Sequence, residues 1–211
     1  MNSGALLDLS DYRRSVTELY AYVRNSDEPP EERWNLFRRV RDELFRSHPQ
    51  SALSEAQKED FSGLRYFSYD PDYRFILPVD MSVEPVVIEV SLEEDDLTRM
   101  QRFGKVSFKV AGRVFSLSLF WILGYGGGIF LPFRDQTNRN ETYGGGRYLL
   151  DTIKGADLGQ EGGRLVLDFN FAYNPSCAYS PRWSCPLAPP ENALEVPMLA
   201  GELDFHGEGK A

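Results

Sequence analysis

Apolar residues recur at helical spacing through the first quarter of the chain. Tyr12, Val16, Leu19, Tyr20 and Val23 fall on one face, which predicts a first helix with Ser10 as N-cap and Asp11 in its first turn. Asp27-Glu28-Pro29-Pro30 breaks that helix and opens a second one, since proline suits a first turn and Glu31 and Glu32 suit the helix dipole. Trp34, Phe37, Val40, Leu44 and Phe45 form its apolar stripe. Its arginines (Arg33, Arg38, Arg39, Arg41, Arg46) are interleaved with Glu31, Glu32, Asp42 and Glu43 and read as a solvated, self-paired face. His48-Pro49 ends the helix, because a residue before proline is pushed out of the helical region. Ser54-Glu55-Ala56-Gln57 reads as a capping box opening one short turn.

After Gly63 the period changes to two. Leu64 to Tyr69 and Tyr73 to Val79 read as short aromatic strands on either side of an Asp70-Pro71-Asp72 turn. Val86, Ile88, Val90 and Leu92 alternate with Val87, Glu89 and Ser91. Val106, Phe108 and Val110 share a face, and Ala111-Gly112 closes a hairpin into Val114 to Ile122, where Phe115, Leu117, Leu119 and Trp121 share another. Further strands are expected at Ile129–Phe133, Gly146–Asp151 and Arg164–Asn170. No strand–helix–strand alternation follows residue 60, so a parallel sheet is not expected. The fold class is therefore α+β: two N-terminal helices, then a mostly antiparallel, strongly curved or barrel-like β-sheet of roughly seven to nine strands. Residues 1–62 form the helical segment, 63–202 the β region and 203–211 a frayed tail, all within one structural domain.

Composition narrows the partners. The formal net charge is −9 and the pI about 4.8, and an acidic surface repels phosphate backbones, so nucleic acid is not an expected partner. No apolar run approaches the ~18 residues needed to cross a bilayer, and the start, with Asp8 and Asp11 and no basic stretch, is unlike a secretory signal. With two cysteines, a cytoplasmic setting with reduced thiols is expected. A homodimer is compatible with the sequence and not inferable from it.

Several standard chemistries are disfavoured. Gly124-Tyr125-Gly126-Gly127-Gly128 leads into a strand and lacks Gly-Lys-Ser/Thr, so it reads as a bend in the sheet and not as a phosphate cradle; Gly144-Gly145-Gly146 reads the same way. The acidic run Glu93-Glu94-Asp95-Asp96 lacks the glycine and spaced ligands of a calcium loop and reads as a solvated turn. Two histidines, His48 and His206, cannot supply a multi-imidazole metal site, and no Gly-x-Ser-x-Gly elbow is present. No cofactor or metal is expected. Cys177 and Cys185 are spaced Cys-x7-Cys, unlike a zinc ribbon or a redox dithiol motif. Buried thiols, a facultative disulfide and one thiolate activated by Arg182 or Arg147 all remain open.

The polar residues of the C-terminal half are unusual in kind. Arg134, Asp135, Thr137, Glu141, Thr142, Tyr143, Arg147 and Tyr148 are followed by Asp168, Asn170, Tyr173, Asn174 and Tyr179, then by Glu191 and Asn192. Such groups orient a small polar ligand when they converge, and otherwise satisfy backbone groups in long loops. The same stretches resemble an uncharacterised family of bacterial and archaeal proteins, domain of unknown function 1684. The resemblance is carried by Phe130 to Thr137, Glu141 to Leu149, Leu167 to Asn170, Ala172 to Tyr179, Ser184 to Leu187, Pro189 to Asn192 and Ala200-Gly201-Glu202. Asn138 stands where that family has a small residue, and Phe171 where a basic residue is commoner. The resemblance implies no activity.

The leading expectation is a small-molecule pocket for a polar or anionic ligand, formed by segments 134–148 and 168–192. Arg147 and Arg134 would hold an anionic group, and Asp168 and Glu141 would serve as acid or base if there is chemistry. Thr137, Thr142, Asp135, Asn170, Asn174, Cys185, Glu191 and Asn192 would contribute polar contacts, and Tyr143, Tyr148, Tyr173 and Tyr179 would line the walls. On this reading Arg147→Ala spares the fold and abolishes binding. Two alternatives stand beside it: a non-enzymatic interaction or structural domain with a tightly packed C-terminal segment, and a Cys-dependent enzyme using Cys177 or Cys185.

Overall fold

The protein is described by a computed structural model covering residues 3–93 and 96–205. Glu94 and Asp95 of the acidic run, His206 and the rest of the tail lie outside the described residues. Helix α1 (Ser3–Asn25) is followed by α2 (Pro30–Ser47) and the short α3 (Glu55–Glu59). Pro30 opens α2 and His48, in extended conformation, closes it. Ser54 and Gln57 form the reciprocal capping box of α3. Helix α1 begins ahead of Asp8, so Ser10 lies inside it and is not its N-cap. Among the described residues no helix is long and apolar enough to cross a membrane.

Eight antiparallel strands form two sheets. Strands β1 (Arg74–Leu77), β8 (Arg164–Asp168) and β7 (Gln160–Glu161) form one sheet in the order β1-β8-β7. The other runs β2 (Val87–Glu93), β3 (Asp96–Val110), β4 (Arg113–Ile122), β5 (Gly128–Phe133), β6 (Arg147–Asp151), in that order. This corrects the expected single strongly curved or barrel-like sheet: neither sheet closes, and β2 and β6 are the edges of the larger one. The reason is local. After β6, Asp151 caps a 3-10 turn at 152–154 and Gly155 turns the chain in left-handed conformation, away from the large sheet. Strand β8 then pairs along the whole of β1, from Arg74↔Asp168 to Leu77↔Leu165.

The hairpin at Ala111-Gly112 forms as expected, with both residues at positive φ (48 and 78) and Val110 paired with Arg113. The glycine segment before β5 is a hairpin loop joining β4 to β5. Two expected strands are shorter. Residues 64–69 make one bridge, Tyr66↔Glu202, and residues 169–171 are a 3-10 turn capped by Asp168.

Layering follows the period of two in β8. Leu165 and Leu167 join Phe108, Leu117, Leu131 and Phe133 in the core between the sheets. Val166 faces the other way, onto Leu19, Tyr20, Trp34 and Phe37 of the helices. The far end of β4 is buried on both faces: Leu119 belongs to the inter-sheet core and Phe120 packs with Met100, Phe130 and Tyr148. Trp121, expected to share the core face, is 43% exposed and packs on the loop at Gly127.

Candidate functional site

The polar residues singled out in the sequence divide into two groups. Most are turned inward and used up. The Arg147 side chain has no exposed surface. Its Nη2 donates to Asp135 Oδ2 (2.9 Å) and to the Met198 carbonyl (3.0 Å), and its Nη1 donates to the Ala200 and Glu202 carbonyls. Burial pulls its pKa down against the opposing pull of Asp135. The other Asp135 oxygen accepts from the Thr137 amide, the Thr137 hydroxyl and the Met198 amide. Thr142 is buried against the Thr137 hydroxyl. Asn138 ties this turn by donating to Thr142 Oγ1 and the Tyr143 carbonyl.

Asn192 is likewise structural. It donates to the Ser118 and Pro132 carbonyls and accepts from the Ser118 amide, bridging β4 and β5. Glu191 accepts from Arg102 (2.9 Å) and Ser118 (2.6 Å), and Arg134 pairs through its backbone with Asn192 and Leu194. Asn170 donates to Asp168 and the Asp70 carbonyl and accepts from the Asp70 amide. Asp168 lines a crevice of about 40 Å³ with Arg33, Arg74 and Glu161; burial pushes its carboxyl up to about 6, against the lowering effect of its bonds from Asn170. Glu141 is exposed, and Phe171 packs on Phe37 at 4.9 Å.

Tyr148, Tyr173, Asn174, Tyr179 and Cys185 form the second group and line a common cavity of about 260 Å³. Its opposite wall comes from the helices: Tyr12, Arg13, Val16 and Tyr20 of α1, and Arg41 and Phe45 of α2. Asp151, at the end of β6, and Lys154, just after it, also belong to the lining. Arg41 is 9% exposed, which overturns its reading as part of a solvated face. It occupies the apolar stripe itself, between Phe37 and Phe45, the spacing at which α2 buries its residues.

The Arg41 guanidinium is anchored from behind. Its Nε donates to the Tyr66 hydroxyl (2.9 Å) and its Nη2 to Glu202 Oε2 (2.8 Å). Glu202 is 1% exposed. It also accepts from the Asn174 amide (3.1 Å) and the Tyr179 hydroxyl. Residues 65–67 pair with 201–203, bringing Tyr66 and Glu202 side by side. Gly201, at φ 84, is required there because a Cβ would stand 2.7 Å from the Phe169 carbonyl oxygen. Burial raises the Glu202 pKa, and Arg41 and the bonds from Tyr179 and Asn174 oppose it. Burial works against the Arg41 charge, but Tyr66 and Glu202 outweigh it and the guanidinium stays protonated.

Some polar atoms of the lining residues are left over among the described residues. Arg41 Nη1 makes no hydrogen bond among the described residues. The Tyr20 hydroxyl and Asn174 Oδ1 are buried without a partner. Sequence reasoning missed Arg41, Tyr12, Tyr20 and Lys154; for Arg41 the available signal was its position on an apolar stripe. Among the described residues no group of three or more His, Cys, Asp or Glu is placed to hold a metal ion.

Comparison with known proteins places this geometry among others of undetermined role. Residues 59–203 match a family model described as "Protein of unknown function (DUF1684)". A solution NMR structure of an uncharacterized protein from Haloarcula marismortui is similar at 36% identity and a TM-score of 0.61, over 84% of this chain and 96% of that one. None of the curated proteins matches.

Proposed function

Because this chain belongs to a family of proteins of unknown function (DUF1684), its activity has to be argued from its own residues, and we propose that the cavity between α1 and the 173–185 segment binds a small organic carboxylate with an apolar or aromatic body. The observation that carries this reading is Arg41, a residue of the cavity wall whose Nε and Nη2 are fixed by Tyr66 and Glu202 while its Nη1 has no hydrogen-bond partner among the described residues. A guanidinium held in this way has lost its rotamer freedom before a ligand arrives, so a charge-assisted bond to it costs little further ordering. Arg13 adds positive charge, and Asp151, the only carboxylate of the lining among the described residues, is paired with Lys154 at 3.6 Å. Val16, Phe45, Ala52 and Ala156 offer apolar surface for the rest of the molecule. The Tyr20 hydroxyl, buried without a partner, would donate to the carboxylate.

The test is calorimetric titration of the full chain with benzoate, 3-phenylpropionate and their neutral amides. The carboxylates are expected to bind and the amides to bind at least about tenfold more weakly, the value of one hydrogen bond to a charged group. Tyr20→Phe removes a hydroxyl without a partner and is expected to stay folded, with affinity reduced about threefold to tenfold. Arg41→Gln combined with Glu202→Gln removes both charges of the pair together and is expected to abolish the preference for carboxylates. A preference that persists in the double variant, or no binding of any carboxylate, overturns the reading.

A further inference from the structure

The cavity wall contains the two cysteines. Cys185 lines the cavity, and its Sγ accepts from the Cys177 amide at 3.3 Å. The Tyr143 hydroxyl donates to Cys177 Sγ at 3.6 Å. Both thiols are free and partly exposed. Cys177 sits in the 3-10 turn 176–178, and the loop that returns to Cys185 is pinned at its middle. Arg182 donates to the Ser51 and Leu53 carbonyls and Trp183 to the Ala52 carbonyl. Arg182 is therefore spent on backbone oxygens and Arg147 on Asp135. The cation that acts on Cys185 is Lys154.

The two sulfurs differ in character. The Cys177 side chain beside it is the largest influence holding the Cys185 thiol down, to about 6; burial opposes it, and the Cys177 amide, Lys154 and the Ser176 amide reinforce it. Cys177 is pushed up, first by its neighbour Cys185 and then by burial. The two thiols are thus pushed in opposite directions, with the ionised form favoured at Cys185 and disfavoured at Cys177.

We propose that Cys185 and Cys177 form a peroxide-reactive dithiol site, in which Cys185 is the attacking thiolate and Cys177 the resolving thiol. The co-reactant is a hydroperoxide entering from the cavity. In the first step the Cys185 sulfur bonds to the terminal peroxide oxygen, the O–O bond breaks and hydroxide (or alkoxide) leaves, giving a sulfenic acid. In the second step the Cys177 sulfur attacks the Cys185 sulfur, the S–O bond breaks, and the departing hydroxide takes the Cys177 proton as water. The sum is two thiols and hydrogen peroxide giving one disulfide and two waters, with both electrons taken up by the peroxide. The Tyr143 hydroxyl, already donating to Cys177 Sγ, favours the thiolate that Cys177 becomes as it gives up its proton to attack. The site opens on the same cavity as the carboxylate reading, but its sulfur chemistry uses neither Arg41 nor Glu202, so each can fail without the other.

The experiment treats the reduced full chain with hydrogen peroxide and follows intact mass and the thiol-labelled peptides. The native protein is expected to lose two hydrogens in mass and to recover them with dithiothreitol, with the link mapped to Cys177–Cys185. Cys177→Ser is expected to accumulate a dimedone-reactive sulfenic acid at Cys185, whereas Cys185→Ser leaves Cys177 unreactive over the same time. At pH 6, Cys185 of the native chain should react with iodoacetamide about tenfold faster than in the urea-unfolded chain; its larger thiolate fraction outweighs the lower nucleophilicity of a low-pKa sulfur. Equal peroxide reactivity of the two single variants, or a native alkylation rate no faster than the unfolded one, overturns the proposal. So does the absence of an intramolecular disulfide.

Discussion

Arg41 and Arg147 are both buried and both paired with a carboxylate, and the difference between them lies in single atoms. Every amino group of Arg147 is taken by Asp135 or by carbonyls of 198–202, so it fastens one segment to another. One amino group of Arg41 is left over. Residue type could not separate these cases, because both side chains offer the same fork and only the packing decides how much of it is consumed. For the same reason Asp135, Thr137, Asn170 and Asn192 looked like ligand contacts in the sequence while their partners are backbone groups and neighbouring side chains of the fold. Asp168 gives a prediction at this scale. Its folded pKa of about 6 lies above the ordinary carboxylate value near ~3.9. Its protonated form is therefore favoured by folding, and that stability is fully present below pH ~3.9 and is lost as pH rises through about 6. Asp168→Asn keeps an oxygen for the Asn170 amide and removes the charge. In urea denaturation it should gain about 2 kcal/mol over the parent at pH 8 relative to the same comparison at pH 4. An unchanged difference between the two pH values would show that the carboxyl is solvated.

At the scale of elements, the local signals were strong. Pro30 and His48 mark the ends of α2, Ser54 and Gln57 cap α3, and Ala111-Gly112 turns β3 into β4. What local patterning did not contain was which sheet each strand joins. The pairing of β1 with β8 spans about ninety residues, from Arg74 to Asp168, and nothing in the alternation of either strand names its partner. The single sheet expected from the strand count followed from that gap. The β3–β4 turn offers a measurable refinement. Ala111 stands at φ 48, a conformation that strains a residue with a Cβ and suits asparagine in a two-residue turn. Ala111→Asn should raise stability by about 0.5–1 kcal/mol, read as a higher urea midpoint at unchanged slope. A loss of stability would mean that the turn adopts another conformation in solution.

At the scale of the molecule, the cavity is a junction of three distant parts of the chain. Arg41 comes from α2, Tyr148 from the edge strand β6 and Tyr179 from the segment after β8, while Glu202, on the segment that pairs with residues 65–67, holds Arg41 from behind. Residues 198–202 supply carbonyls to Arg147 and the carboxylate of Arg41. Deleting the chain from Met198 onward would leave two buried guanidinium groups with most of their acceptors gone, and the broken Arg41–Glu202 pair alone is a defect worth about 3–5 kcal/mol. The shortened chain is expected to lose cooperative unfolding and to bind a hydrophobic dye, as monitored by near-UV circular dichroism and dye fluorescence. A cooperative transition with the parent's midpoint would show that the two arginines find other partners.

The bond between Arg41 and Glu202 joins positions 161 residues apart. During synthesis the guanidinium is made long before its carboxylate, and domains emerging from the ribosome fold from the N-terminal side. Helices α1 and α2 can therefore exist on the nascent chain with the Arg41 charge unanswered, too costly to bury. Closure over the cavity has to wait for Glu202. The pair thus acts as a timer on assembly, keeping the Arg41 face of α2 open to solvent until translation has passed that residue.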